Sequence, residues 1–124
     1  MYAELLSATA VYDRAAMSWT PAAPLGEARS GHTASLLSNG TVLVACGRSV
    51  EGQLASAELF LPDEQTWLPT AAATTARTGP SATLLSDGTV LVAGGEGSAG
   101  GLSSAELYGP SAGGVAFVAT AVDR

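Results

Sequence analysis

Arg29-Ser30-Gly31-His32-Thr33-Ala34-Ser35-Leu36-Leu37-Ser38-Asn39-Gly40-Thr41-Val42-Leu43-Val44-Ala45-Cys46-Gly47 aligns without a gap on Arg77-Thr78-Gly79-Pro80-Ser81-Ala82-Thr83-Leu84-Leu85-Ser86-Asp87-Gly88-Thr89-Val90-Leu91-Val92-Ala93-Gly94-Gly95, and 13 of the 19 positions are identical. The offset, 77 − 29 = 48 residues, also pairs Tyr12 with Phe60 and Tyr108, and Trp19 with Trp67. Ala55-Ser56-Ala57-Glu58-Leu59-Phe60 falls on Ser103-Ser104-Ala105-Glu106-Leu107-Tyr108 in the same way. The period therefore spans nearly the whole chain, as one repeat segment over 1–124 with units at about 7–54, 55–102 and an incomplete 103–124. Repeats of this length, each with about four strands, are the sequence mark of β-propeller blades.

Turn chemistry divides each unit into strands. Gly31 to Leu37 and Thr41 to Cys46 flank Ser38-Asn39-Gly40, and the counterpart dipeptide in the next unit is Asp87-Gly88. Asn-Gly and Asp-Gly favour type I′ hairpins, in which both central residues take positive φ. Ser56 to Phe60 reads as a third strand, Pro62-Asp63-Glu64 as a turn, and Thr66-Trp67-Leu68 as a short fourth strand. Thr41 to Ala45 and Thr89 to Ala93 are nearly continuous apolar runs, which predicts burial on both faces of a sheet. Gly47 and Gly94-Gly95 follow those runs where the chain must bend sharply or approach a neighbour closely.

Composition removes several function classes. The chain has 124 residues, enough for one domain with a modest core. Its net charge is −6, from eleven carboxylates against five Arg (14, 29, 48, 77 and 124) and no Lys. A phosphate-neutralising surface needs clustered positive charge, so nucleic acid is not an expected partner. No apolar run is long enough to span a bilayer, and the N-terminus has no basic segment leading into an apolar one, so membrane insertion is not expected. Cys46 is the sole cysteine and cannot form an intramolecular disulfide.

A strand ending in a Gly doublet, then an aromatic residue with Trp seven positions on (Phe60 to Trp67; Tyr12 to Trp19), resembles the kelch repeat over almost the entire chain. Arg29-Ser30-Gly31-His32 and Arg77-Thr78-Gly79-Pro80 look like that family's Arg-x-x-His start. Pro80 departs from it, as does Cys46 in place of the first Gly of the doublet. The units are most similar to bacterial kelch proteins related to the central domain of galactose oxidase. The resemblance implies an all-β fold, a partial kelch-type propeller of about two and a half four-stranded antiparallel blades. It also suggests an extracellular or cell-envelope location. Since a closed ring needs more blades, the chain is expected to be part of a longer propeller or to self-associate through open blade edges.

The loops after the second and fourth strands, Arg48 to Leu54, Gly95 to Leu102, Pro21 to Ser30 and Pro69 to Thr78, should gather at one end, where scaffold folds concentrate binding. Arg48, Glu51 and Glu96 do not recur between units and are the candidate ligand contacts. Arg29 and Arg77 do recur, as do Glu58 and Glu106, which marks them as structural partners through the guanidinium fork. Gly47, Gly94, Gly95, Trp19, Trp67, Tyr12, Phe60 and Tyr108 are likewise structural repeat residues. His32, the only histidine, stands at a strand start and offers no paired acid or second ligand, so no catalytic residue, metal site or cofactor is assigned. The copper-radical chemistry of galactose oxidase needs two histidines, and a role supporting such an enzyme would place its catalytic residues outside this chain. Gly95-Glu96-Gly97-Ser98-Ala99-Gly100-Gly101 lacks the Lys and following helix of a phosphate cradle and reads as a flexible loop. The expected function is a non-catalytic interaction scaffold that engages protein or carbohydrate.

Overall fold

The computed structural model describes residues 5–111 and 114–120; the end of the 103–124 unit, with Arg124, lies outside them. All regular structure among these residues is β. Strands β1 (Thr9–Asp13) and β2 (Ser18–Ala22) form a hairpin. The next strands are β3 (Thr33–Leu36), β4 (Val42–Ala45), β5 (Arg48–Ser49), β6 (Gly52–Gln53), β7 (Ala57–Leu61) and β8 (Thr66–Thr70). β9 (Ser81–Leu84), β10 (Val90–Ala93), β11 (Glu96–Gly97), β12 (Gly100–Gly101), β13 (Ala105–Ser111) and β14 (Gly114–Thr120) repeat that order.

Two four-stranded antiparallel sheets result, ordered β3-β4-β7-β8 and β9-β10-β13-β14, while β5–β6 and β11–β12 are separate two-stranded ribbons. Each sheet crosses a boundary of the 48-residue units. The sheets lie face to face, and their first strands run close together, with the Gly79 N–H donating to the Gly31 carbonyl at 2.8 Å. Leu43 and Ala45 on one sheet meet Val90, Val92, Tyr108 and Phe117 on the other. The side chains between the sheets are mostly small, so the layers approach closely and the aromatic residues fill the outer half.

The apolar runs are not equally buried. Leu43, Val44 and Ala45 are buried, so both faces of β4 are covered. On β10 only Val90 and Val92 are fully buried; Leu91 and Ala93 remain half-buried, because no described sheet lies against them. Three aromatic pairs cross the outer hairpins: Tyr12–Trp19, Phe60–Trp67 and Tyr108–Phe117, with ring centroids 5.1, 5.1 and 5.0 Å apart. Phe117 takes the place of the tryptophan in a longer hairpin, so the seven-residue spacing does not reveal it.

The type I′ expectation is corrected. Gly40 and Gly88 both have φ near +89°, but Asn39 and Asp87 do not enter the positive region. The Gly40 N–H donates to the Leu37 carbonyl and the Leu37 N–H to the Thr41 carbonyl, giving a three-residue loop in which glycine alone is left-handed. Asn39 and Asp87 act through their side chains: each Oδ1 accepts from the backbone N–H and hydroxyl of the threonine two residues on. The segment read as a flexible loop at Gly95–Gly101 is also corrected, since it forms the β11–β12 ribbon.

Candidate functional site

Arg29 and Arg77 are buried, and each organises the entry to its sheet. Arg77 donates through Nη1 to the carbonyls of Gly94 and Ser104, and through Nη2 to Ser104 Oγ and Glu106 Oε2. Glu106 accepts in turn from the Thr74 and Thr75 N–H groups of the incoming connection. Arg29 repeats this with the carbonyls of Cys46 and Ser56, with Ser56 Oγ and with Glu58, which accepts from the Gly26 and Glu27 N–H groups. Each guanidinium–carboxylate clasp thus locks a connecting loop onto the sheet that follows it. These arginines present no open donor face to a ligand.

Above the clasps, the ribbons are anchored mainly by backbone, with Thr78 Oγ1 also donating to the Gly47 carbonyl at 3.2 Å. Ser30 and Arg48 exchange reciprocal N–H to carbonyl bonds of 3.1 and 2.8 Å, and Thr78 and Glu96 exchange two of 2.8 Å. The Gly47 N–H donates to the Arg77 carbonyl, and the Arg77 N–H to that of Leu54, which stitches the first ribbon to the connection entering the second sheet. Gly47 has φ +100°, and a Cβ there would sit 2.5 Å from the Ser30 carbonyl oxygen. Backbone approach at this point therefore demands glycine.

Between the ribbons lies an open groove of about 410 Å³, lined by Glu51, Gln53, Thr75, Ser98 and the backbone of Gly97 to Leu102. Glu51 is the sequence candidate that lines it. Arg48 and Glu96 stand at the ribbon roots instead, on equivalent backbone with opposite charge, and are exposed. Gln53, Thr75 and Ser98 were not singled out from the sequence. Their counterparts at the 48-residue offset are Gly101, Glu27 and Val50, so non-recurrence, the criterion that picked Glu51, also marks them. The groove offers a carboxylate, an amide, hydroxyls and glycine backbone groups, a set suited to hydrogen-bonding a polar chain.

Burial and the nearby Arg29 charge hold His32 below the usual imidazole value. Burial raises the Cys46 thiol. Among the described residues no cluster of three or more His, Cys, Asp or Glu could hold a metal ion, and no helix is long and apolar enough to cross a membrane. Neither a protein-family model nor a curated protein matches the chain.

Proposed function

We propose that this chain is a segment of a kelch-type β-propeller and acts as a non-catalytic interaction scaffold, engaging protein or carbohydrate at the ribbon end. Four-stranded antiparallel sheets repeated at 48 residues and stacked face to face support the propeller architecture. The observation that carries the binding role is the division of labour between the two layers. The recurring Arg–Glu pairs are buried and spend their terminal guanidinium nitrogens on carbonyl, hydroxyl and carboxylate partners within the fold, whereas the non-recurring Glu51, Gln53, Thr75 and Ser98 gather around one groove. Loops on a rigid frame are where such folds place recognition.

The test is selection of binders from a glycan array and a displayed peptide library, followed by mapping of amide shifts by NMR. Shifts should concentrate at Arg48–Gln53, Thr75–Ala76 and Gly97–Leu102. Affinity should fall about tenfold or more in a Glu51→Ala/Gln53→Ala variant, equivalent to roughly 1.4 kcal/mol. Selected binders that map elsewhere, or an array and library that yield none, would count against this function.

A further inference from the structure

We propose that a second copy of this chain docks head to tail, its β1–β2 hairpin lying on the outer face of the β9-β10-β13-β14 sheet. This is independent of the ribbon groove and concerns the two outermost faces among the described strands.

The argument starts from the interface between the two sheets. Leu43, Ala45 and Leu59 of the first sheet lie on the face that receives the second, and Leu43 and Ala45 are 1% and 0% exposed. Their partners 48 residues on are Leu91, Ala93 and Leu107, identical in type and held in the same register. These form the outer face of the second sheet, with Val118 beside Leu107 at 57% exposed. The surface that binds a sheet at one place in the molecule is thus reproduced at another, where no described strand covers it.

The opposite end offers the matching half. At each covered junction an aromatic pair meets the preceding strands, and its polar tip is bonded there. Trp67 Nε1 donates to the Ala23 carbonyl at 3.0 Å, and Tyr108 Oη lies 2.6 Å from Thr70 Oγ1. Tyr108 and Phe117 are accordingly 3% and 7% exposed. Tyr12 and Trp19 form the same pair on the face of the hairpin turned away from β4 and β7, yet they are 43% and 69% exposed. Two different surfaces, one at each end, make the contact heterologous, so association propagates into a ring or an open stack rather than stopping at a symmetric dimer.

Light scattering or sedimentation over a range of concentrations, with Trp19→Asp and Val118→Asp variants, tests this. Both side chains are more than half exposed, so circular dichroism should show the β fold retained; Tyr12→Asp on the same face replaces Trp19→Asp should that hairpin unfold. The unmodified chain should grow in mass with concentration, and each variant alone should stay monomeric. An equimolar mixture of the two variants should form a 1:1 dimer, because one intact junction can form between them. A monomeric unmodified chain, association that survives either substitution, or a mixture that stays monomeric would overturn the proposal.

Discussion

Arg77 Nη2 lies 3.2 Å from Glu106 Oε2 with both side chains buried, and the equivalent Arg29–Glu58 pair, at 3.3 Å, is less completely satisfied. Arg77 Nε also faces Glu106 at 3.4 Å, whereas Arg29 Nε is buried without a partner. Glu27, half exposed, stands 3.8 Å from Arg29 as a second carboxylate. Removing one partner of a buried pair leaves the other charge uncompensated, at about 3–5 kcal/mol. Glu106→Ala should therefore cost that much in urea unfolding, and Glu58→Ala measurably less, since Glu27 can still partner Arg29. Equal losses would contradict this ranking.

Two glycines in the left-handed region should respond very differently to alanine. At Gly40 an added Cβ would meet nothing within 4 Å, so Gly40→Ala should cost only the left-handed penalty of about 1–2 kcal/mol. At Gly47 the new methyl would also meet the Ser30 carbonyl and His32 backbone, adding overpacking to the same penalty. Gly47→Ala should lose more than about 3 kcal/mol in the same assay.

Cys46 is 0% exposed, and burial raises its thiol above the ordinary value, so little thiolate is presented to solvent. A disulfide reagent such as Ellman's should modify the folded chain slowly and the urea-unfolded chain at once. Fast modification under native conditions would mean that the Cys46 site opens readily.

His32 has a lowered pKa in the folded state, so the unfolded chain takes up the proton more readily. Stability from this residue is fully present above the unfolded value near 6.5, falls as pH drops through the interval to the folded value, and is level below it. His32 is only partly shielded from solvent, so the effect should be small. His32→Gln should flatten that segment of the stability profile, and NMR should place the His32 midpoint below that of a short unstructured peptide.

The repeat made the sheets legible from sequence, because a 48-residue offset preserves strand register and turn position together. The partners of Arg29 and Arg77 were also legible, since Glu58 and Glu106 recur at the same spacing. The ribbons were not. Arg48–Ser49 and Gly100–Gly101 are two-residue strands with no apolar alternation, and it is mainly backbone bonds to Ser30 and Gly47 that hold the first ribbon, which leaves little side-chain signature. Turn type failed for a related reason: Asn39 and Asp87 suit a type I′ turn by propensity, but their carboxamide and carboxylate oxygens cap threonine instead. Glu51, Arg48 and Glu96 were all singled out by their failure to recur, but only Glu51 lines the groove, because recurrence reports on the backbone frame and not on the direction a loop takes.

Arg48 and Glu96 hold equivalent places on neighbouring ribbons and carry opposite charge, while the clasps beneath them share one Arg–Glu pairing. Because the clasps lie below the ribbon roots, a change at Arg48 or Glu96 alters the charge of one edge without touching what holds the strands together. The outer chemistry of the two ribbons can therefore be set one unit at a time on a common frame.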